Sequence, residues 1–271
     1  MKHLIRYACA VLALTAASWA QAHPVWMLPS EFNVSSDEPW WITVDASVSH
    51  SVFHPDGPIG LDTLRLFNPK GERLPSASVS RGQRRSVFDL QLGEQGTYLA
   101  ELRLPTRHVT TYQQGARNTV RRMLGTRQEL QSQIPAGARE VKTTAYNIVS
   151  RFYVTRKAPT RALLTPTGQG LELLPVTHPA DIVVGEAAVF RLTRDGKPLA
   201  GAEAELVPHG TYYRNERRQT VLKTDAAGEI RFVPTQMGPY LLTVSVETTS
   251  TNPLIDAESA LFYLSFEAQG Q

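Results

Sequence analysis

An all-β protein of two β-sandwich domains is what this sequence predicts, on three observations. Short runs rich in Val, Ile, Thr, Phe, Tyr and Leu alternate with Gly, Pro, Asn and Asp along most of the chain. A polar, Arg- and Gln-rich segment interrupts that rhythm at 106–140. A second break, punctuated by Pro and Gly, falls at 157–170, and strand signals resume after it.

Taken in order, Trp40–Val44, Thr63–Phe67, Ser86–Leu92 and Thr97–Leu102 read as strands, and Asn68-Pro69-Lys70-Gly71 closes the second with a turn. In the fourth, Tyr98, Ala100 and Leu102 fall on one face and Leu99 and Glu101 on the other, the period of two expected of a strand. Regular short strands separated by turns argue for a sandwich. The polar insertion carries Arg117, Arg121, Arg122 and Arg127. It is expected to hold a short helix around Thr119–Gln131 or to form a long ordered loop, with the arginines as a solvated face. Strand pattern returns over Val141–Thr155. Beyond the second break, Ala187–Thr193, Ala202–Val207, Thr220–Thr224, Glu229–Val233, Tyr240–Glu247 and Leu261–Phe266 give six more strands. These place an N-terminal domain at 23–165 and a smaller C-terminal one at 166–271.

Residues 1–22 read as a secretory signal peptide. Lys2 and Arg6 form a basic start, an apolar stretch follows from Tyr7, and Ala20-Gln21-Ala22 supplies the small residues of a cleavage site. No later segment approaches the ~20 apolar residues of a membrane-spanning helix. The expected location is the periplasm. The only cysteine, Cys9, leaves with the leader, so disulfides and thiolate ligands are excluded from the mature chain. Without Lys2 and Arg6 the formal charge falls from +3 to +1. Compartment and charge both argue against a nucleic-acid partner.

The order D-G-K-P-L-A-G-A, then T-D-A-A-G-E-I-R-F, then G-P-Y-L-L-T-V in the second half resembles carboxypeptidase-regulatory or transthyretin-like domains, a version of the immunoglobulin-type sandwich. The whole mature chain is similar to the DUF4198 family of exported bacterial proteins. The pieces that carry this likeness are A-H-P-V-W-M-L-P at 22–29, G-Q-G-L-E-L-L-P-V-T-H-P-A-D at 168–181 and the D-G-K-P-L-A-G-A turn at 195–202. The resemblance implies two immunoglobulin-like domains and a part in nickel or cobalt uptake, with a membrane transporter or receptor component as partner.

Cleavage after Ala22 would make His23 the first residue. Its α-amine and ring nitrogen would then form a chelate within one residue. A second histidine facing it would complete a three-nitrogen brace, a tetragonal donor set that suits Cu(II) or Ni(II). Pro24 has no backbone N–H, which closes the alternative of binding through a deprotonated amide at residue two. The best partners are His50 and His54 in Val48–Asp56. Four residues apart, they share one face of a strand or helix. In an extended strand they lie ~13 Å apart, too far to share an ion, so the chain must curl back near Pro55 and Gly57. Asp45 or Asp56 could add oxygen ligands, and His108, at the head of the polar insertion, is a further candidate. On the competing reading, His50 and His54 are polar residues at a strand end. His178 and His209 read as turn or loop residues, and Trp26, Met27, Trp40 and Trp41 as core or edge packing.

No nucleophile elbow, P-loop, H-E-x-x-H, CxxC or G-x-G-x-x-G motif occurs in the sequence, and the expectation is a protein that is not an enzyme. The leading functional reading is a periplasmic metal-binding accessory protein for Ni, Co or Cu uptake or buffering, with a divalent transition metal ion as its cofactor. A structural or protein-interaction module of the cell envelope is the alternative. A copper oxidase or monooxygenase built on the same brace is the third.

Overall fold

The computed structural model describes residues 23–270. The expected leader at 1–22, with its cleavage site and Cys9, lies outside the described residues. The first half contains β1 (Val25–Pro29), β2 (Asn33–Val34), β3 (Trp40–Val48), β4 (Gly57–Pro58), β5 (Leu64–Phe67), β6 (Arg73–Leu74), β7 (Ala77–Arg81), β8 (Ser86–Leu92) and β9 (Gly96–Arg103). A hairpin of β10 (Arg107–Gln114) and β11 (Thr119–Leu124) leads into the long β12 (Arg139–Arg156). The second half contains β13 (Leu171–Pro175), β14 (Ala188–Arg194), β15 (Lys197–Pro198), β16 (Glu203–Pro208), β17 (Thr220–Lys223), β18 (Glu229–Phe232), β19 (Gly238–Thr249) and β20 (Ala257–Ala268).

The molecule is all-β, and its strands form three sheets. One eleven-stranded sheet runs through both halves in the order β17-β16-β19-β20-β12-β9-β5-β6, with β10 and β2 attached along β12 and β11 paired to β10. The join is a parallel ladder between β12 and β20, from Thr144↔Ala257 to Phe152↔Ser265. Five strands (β1, β3, β4, β7, β8) form the second sheet and four (β13, β14, β15, β18) the third.

Alternating side chains explain how these sheets stack. Phe152 and Val154 of β12, Leu261 and Tyr263 of β20, and Tyr98, Ala100 and Leu102 of β9 join Trp26, Met27, Val44, Phe88 and Leu90 in one core. Tyr153, Phe262, Leu264, Phe266 and Leu99 point the other way and join Leu173, Phe190, Leu192, Ile230 and Phe232 in a second core. The small sheets therefore cover opposite faces of the large one. Each such pair of layers is a face-to-face β-sandwich.

Each core carries a tyrosine corner, a hallmark of the immunoglobulin-like sandwich. The Tyr98 hydroxyl donates to Glu94 O at 2.8 Å and accepts from Glu94 N at 2.7 Å. The Tyr240 hydroxyl donates to Gln236 O at 2.9 Å and accepts from Gln236 N at 3.0 Å. Two residues before each tyrosine stands a glycine at positive φ, Gly96 (131°) and Gly238 (102°). A Cβ would meet the Pro69 ring at 2.6 Å in the first and the His209 ring at 2.7 Å in the second. Glycine is required at both on conformation and on space.

The helix expected around Thr119–Gln131 does not form. Gly115 (φ 73°) and Asn118 (φ 51°) turn the chain sharply, and Thr119–Leu124 pairs back on β10 as a strand, from Val109↔Leu124 to Gln114↔Thr119. The β-branched residues flanking the turn favour this pairing. Thr126 and Glu129 then cap one another, since Thr126 N donates to Glu129 Oε2 at 2.7 Å and Glu129 N to Thr126 Oγ1 at 3.3 Å. This is a helix start signal, but it nucleates only hydrogen-bonded turns before Pro135. Arg127, which keeps part of its exposure, also pairs with Asp256 of the second half at 2.9 Å.

A buried charge network ties β9 to β12. Glu101 and Arg151 are both less than a tenth exposed. Arg151 Nε donates to Glu101 Oε2 at 2.6 Å, and Arg103 Nε to Oε1 at 2.6 Å. Burial pushes the Glu101 carboxyl up, but the Arg103 hydrogen bond and the charges of Arg151 and Arg103 outweigh it and hold the group below its ordinary value. A carboxyl lowered on folding contributes stability above its unfolded pKa of ~4.3, and that stability is lost as pH falls through the folded value. Glu101→Gln is expected to cost about 3–5 kcal/mol at pH 7, because it leaves Arg151 buried without its counter-charge. The gap from wild type should narrow as urea unfolding is repeated toward pH 3.5.

The continuous sheet makes a second expectation. Trp26, Trp40 and Trp41 all lie in the first half, so tryptophan fluorescence reports on that half. Tyr98→Phe and Tyr240→Phe should each destabilise by about 1–2 kcal/mol, and both should shift the same tryptophan-detected transition. Independent halves would leave that transition unmoved by Tyr240→Phe.

Candidate metal centre

The β1–β3 ladder positions the candidate site. Its register sets Val25 opposite Val48, and Ser49 N bonds Pro24 O one step further at 3.2 Å. The next residues out in the same register are His23 and His50. Their Nε2 atoms lie 2.7 Å apart, with the rings edge to face at 78°. Twenty-seven positions apart in sequence, they meet at an exposed corner of the sandwich.

The loop that presents His50 is held from beneath. Trp26 Nε1 donates to Ser49 Oγ at 2.8 Å, and Ser49 Oγ donates to Ser51 O at 2.6 Å. Val52 is buried, and Phe53 packs edge-on against Trp26. Asp56 N returns to Val48 O at 3.2 Å, closing the loop.

Asp56 stands behind His50 and orients it. Its Oδ2 accepts from His50 N at 2.9 Å and lies 3.3 Å from His50 Nδ1. The backbone hydrogen bond from His50 holds the Asp56 carboxyl below its ordinary value, aided by the His50 ring and Arg84. A carboxylate at Nδ1 favours the tautomer with its proton there, leaving the Nε2 lone pair facing outward. His50 Nε2 then accepts a hydrogen bond from the His23 Nε2–H, or donates the lone pair to an electrophile in the same place. Two imidazole nitrogens bound to one ion at ~2.0–2.1 Å in adjacent positions lie ~2.9 Å apart. The observed pair fits that spacing after a small opening.

The nitrogen of His23 that faces His50 is Nε2. A six-membered chelate with the residue's own amine uses Nδ1, so the brace would require His23 to turn. The structure does not bring the other candidates into the pair. His54 stacks flat on Tyr212 of the second half, with ring centres 3.7 Å apart and planes within 4°. Asp56 acts behind His50. Asp45 pairs with Arg85 at 2.9 Å. His108 lies on β10 opposite Ala145. Among the described residues no group of three or more His, Cys, Asp or Glu is arranged around one point.

The remaining histidines have structural partners. His178 is buried, with Nε2 3.0 Å from Thr97 Oγ1 and 3.1 Å from Thr160 O, while Nδ1 accepts from Ala180 N. Burial pushes its pKa down. His209 Nε2 lies 3.1 Å from Met237 O. Trp26 and Met27 are core, whereas Trp40 and Trp41 stand exposed at the sheet end.

Sequence reasoning missed Arg84 and Tyr212. Arg84 donates through Nε and Nη2 to Pro55 O at 2.9 and 2.7 Å and reaches Asp56 Oδ1 at 3.4 Å. The run Ser80-Arg-Gly-Gln-Arg-Arg-Ser86 was the available signal. Nothing local marked Tyr212.

The tautomer assignment is testable. In 15N NMR spectra at pH 8, His50 should carry its proton on Nδ1, and Asp56→Asn should abolish that preference. The same variant should lose less than about 1 kcal/mol of stability, since the pair is exposed.

Comparison with known proteins places the chain by sequence. No curated protein matches it. Among solved structures it aligns with the D0-D1 domain of Intimin at 11% identity and a TM-score of 0.22, over 89% of this chain and 96% of that one. It aligns with Yersinia pseudotuberculosis adhesin InvE at 12% identity and TM-score 0.20, covering 89% of this chain and 58% of that one. With the Bacillus anthracis TIE protein the figures are 10% identity and TM-score 0.20, over 93% and 40%. Among the described residues no helix is long and apolar enough to cross a membrane. Residues 20–248, most of the chain, match the family described as "Domain of unknown function (DUF4198)", and the protein belongs to that family.

Proposed function

We propose that this is a periplasmic accessory protein that holds a divalent transition metal ion, Ni(II), Co(II) or Cu(II), between His23 and His50 for uptake or buffering. The observation that carries the reading is the convergence of two imidazole Nε2 atoms to 2.7 Å across an exposed strand end. The Asp56 carboxylate behind His50 supports it, because a carboxylate on the far nitrogen is the usual partner of a metal-bound histidine. Imidazole donors suit all three metals. A leader at 1–22 would deliver the site to the envelope, where a transporter or receptor component would receive the metal.

The test is titration of protein exported from its full-length chain, with the N-terminus fixed by intact mass. One Ni(II) should bind per chain. His23→Ala or His50→Ala should weaken binding by at least tenfold, and Asp56→Asn by roughly 10–100-fold. Cu(II) in the same place should show two imidazole nitrogens by electron paramagnetic resonance. Unchanged affinity in His50→Ala would overturn the proposal.

A further inference from the structure

The polar insertion that breaks the strand rhythm contributes nothing to the histidine pair, yet it concentrates the charge of the protein. From Arg107 to Leu124 the β10–β11 hairpin carries four arginines and no acid. Residues 107–146 hold seven Lys or Arg against two Glu, a net charge of +5. Residues 23–271 as a whole carry +1, so the rest of that chain carries −4. Positive charge is thus gathered in one hairpin, the turns that follow it and the start of β12.

β11 lies at an open edge. It pairs with β10 on one side, and among the described residues no strand pairs with it on the other. The register sets Val120, Arg122 and Leu124 on one face, in rows with Gln113, Thr111 and Val109. All three are exposed, Val120 by 65% and Leu124 by 71%. The other face is closed, since Thr110 and Thr143 are buried there and bond one another at 2.8 Å. The guanidinium groups are also available. Among the described residues Arg107, Arg117, Arg121 and Arg122 form no ion pair. Arg121 Nε reaches Gln114 Oε1 at 3.4 Å, and Arg122 lies 5.7 Å over the Tyr146 ring. Glu140 and Glu247 do not neutralise them, because Glu140 is held by Gln113 and Glu247 by Lys142.

Val120 and Leu124 stand ~13 Å apart along the strand, with a guanidinium between them. Exposed apolar side chains interleaved with cations are the combination that holds a protein at a lipid surface. We propose that the β10–β11 hairpin docks the protein on an anionic phospholipid bilayer. Val120 and Leu124 enter the boundary between headgroups and acyl chains, and the arginines around them meet lipid phosphates. The charge distribution favours an extended plane over a compact acidic partner. Such a plane attracts the hairpin and repels the remaining −4, which fixes the orientation of the molecule. This inference stands apart from the metal reading.

The test is flotation of the exported chain with vesicles of phosphatidylcholine, alone or with about a third phosphatidylglycerol. Binding to the anionic vesicles should be at least tenfold tighter and should fall away in ~0.5 M salt. Arg117→Gln with Arg121→Gln should weaken it at least tenfold, since each basic residue at such a surface is worth about fivefold. Arg81→Gln with Arg231→Gln removes the same charge from elsewhere and should change it less than about twofold. Val120→Gln with Leu124→Gln keeps the net charge and should weaken it about tenfold. All six side chains are exposed, so the urea midpoint should stay in place. Equal binding to both kinds of vesicle, or equal effects of the two arginine pairs, sinks the proposal. So does binding that survives the changes at Val120 and Leu124 and is displaced by soluble polyglutamate, the result expected of a site for an acidic protein.

Discussion

The structure depends on burying both faces of one continuous sheet. A strand covered on a single face needs an apolar residue at every second position, whereas one covered on both needs them at nearly all. β12 and β20 meet that demand with Phe152-Tyr153-Val154 and Leu261-Phe262-Tyr263-Leu264, and their side chains feed the two cores alternately. The one ionised group admitted to the centre of β12, Arg151, is answered by Glu101 and lies 5.1 Å over the Phe262 ring. Each small sheet is thereby anchored to the same backbone ladder from opposite sides.

What the sequence makes legible follows from the range of each interaction. Strand positions are local, and the periods in 40–44, 86–92, 97–102 and 240–247 report them directly. The G-x-Tyr step recurs at Gly96–Tyr98 and Gly238–Tyr240, so the two corners were also readable in principle. The parallel ladder between 144–152 and 257–265 was not, because no local pattern names a partner strand more than a hundred positions away. The insertion was misread for a related reason. Its Thr126-x-x-Glu129 start signal is real, but the tight turn at Gly115–Asn118 had already committed the preceding residues to a hairpin.

The candidate site shows the same division. His23 and His50 stood out as residue types, and His50 lay within a recognisable cluster. Their meeting is a property of strand register, since a shift of one residue between β1 and β3 would point one ring away. His54 has the right chemistry and spacing, yet a single aromatic contact from the second half holds it in another role. Arg84 enters because the β7–β8 turn folds beside the histidine loop, a placement set by sheet topology.

The β12–β20 ladder also dictates the order in which the protein can assemble. Thr143 and Asp256, bonded at the mouth of that ladder, are 113 positions apart, and the whole second half is the crossover between the two strands. Contacts of such long range form slowly, since the chain's freedom must be given up before they form. A nascent first half that closes early leaves the Tyr153 side of β12 bare until the four-stranded sheet of the second half forms over it. β20, at the far end of that crossover, is thus the strand that completes the centre of the large sheet. Folding before the second half is made would leave an apolar surface with nothing to cover it.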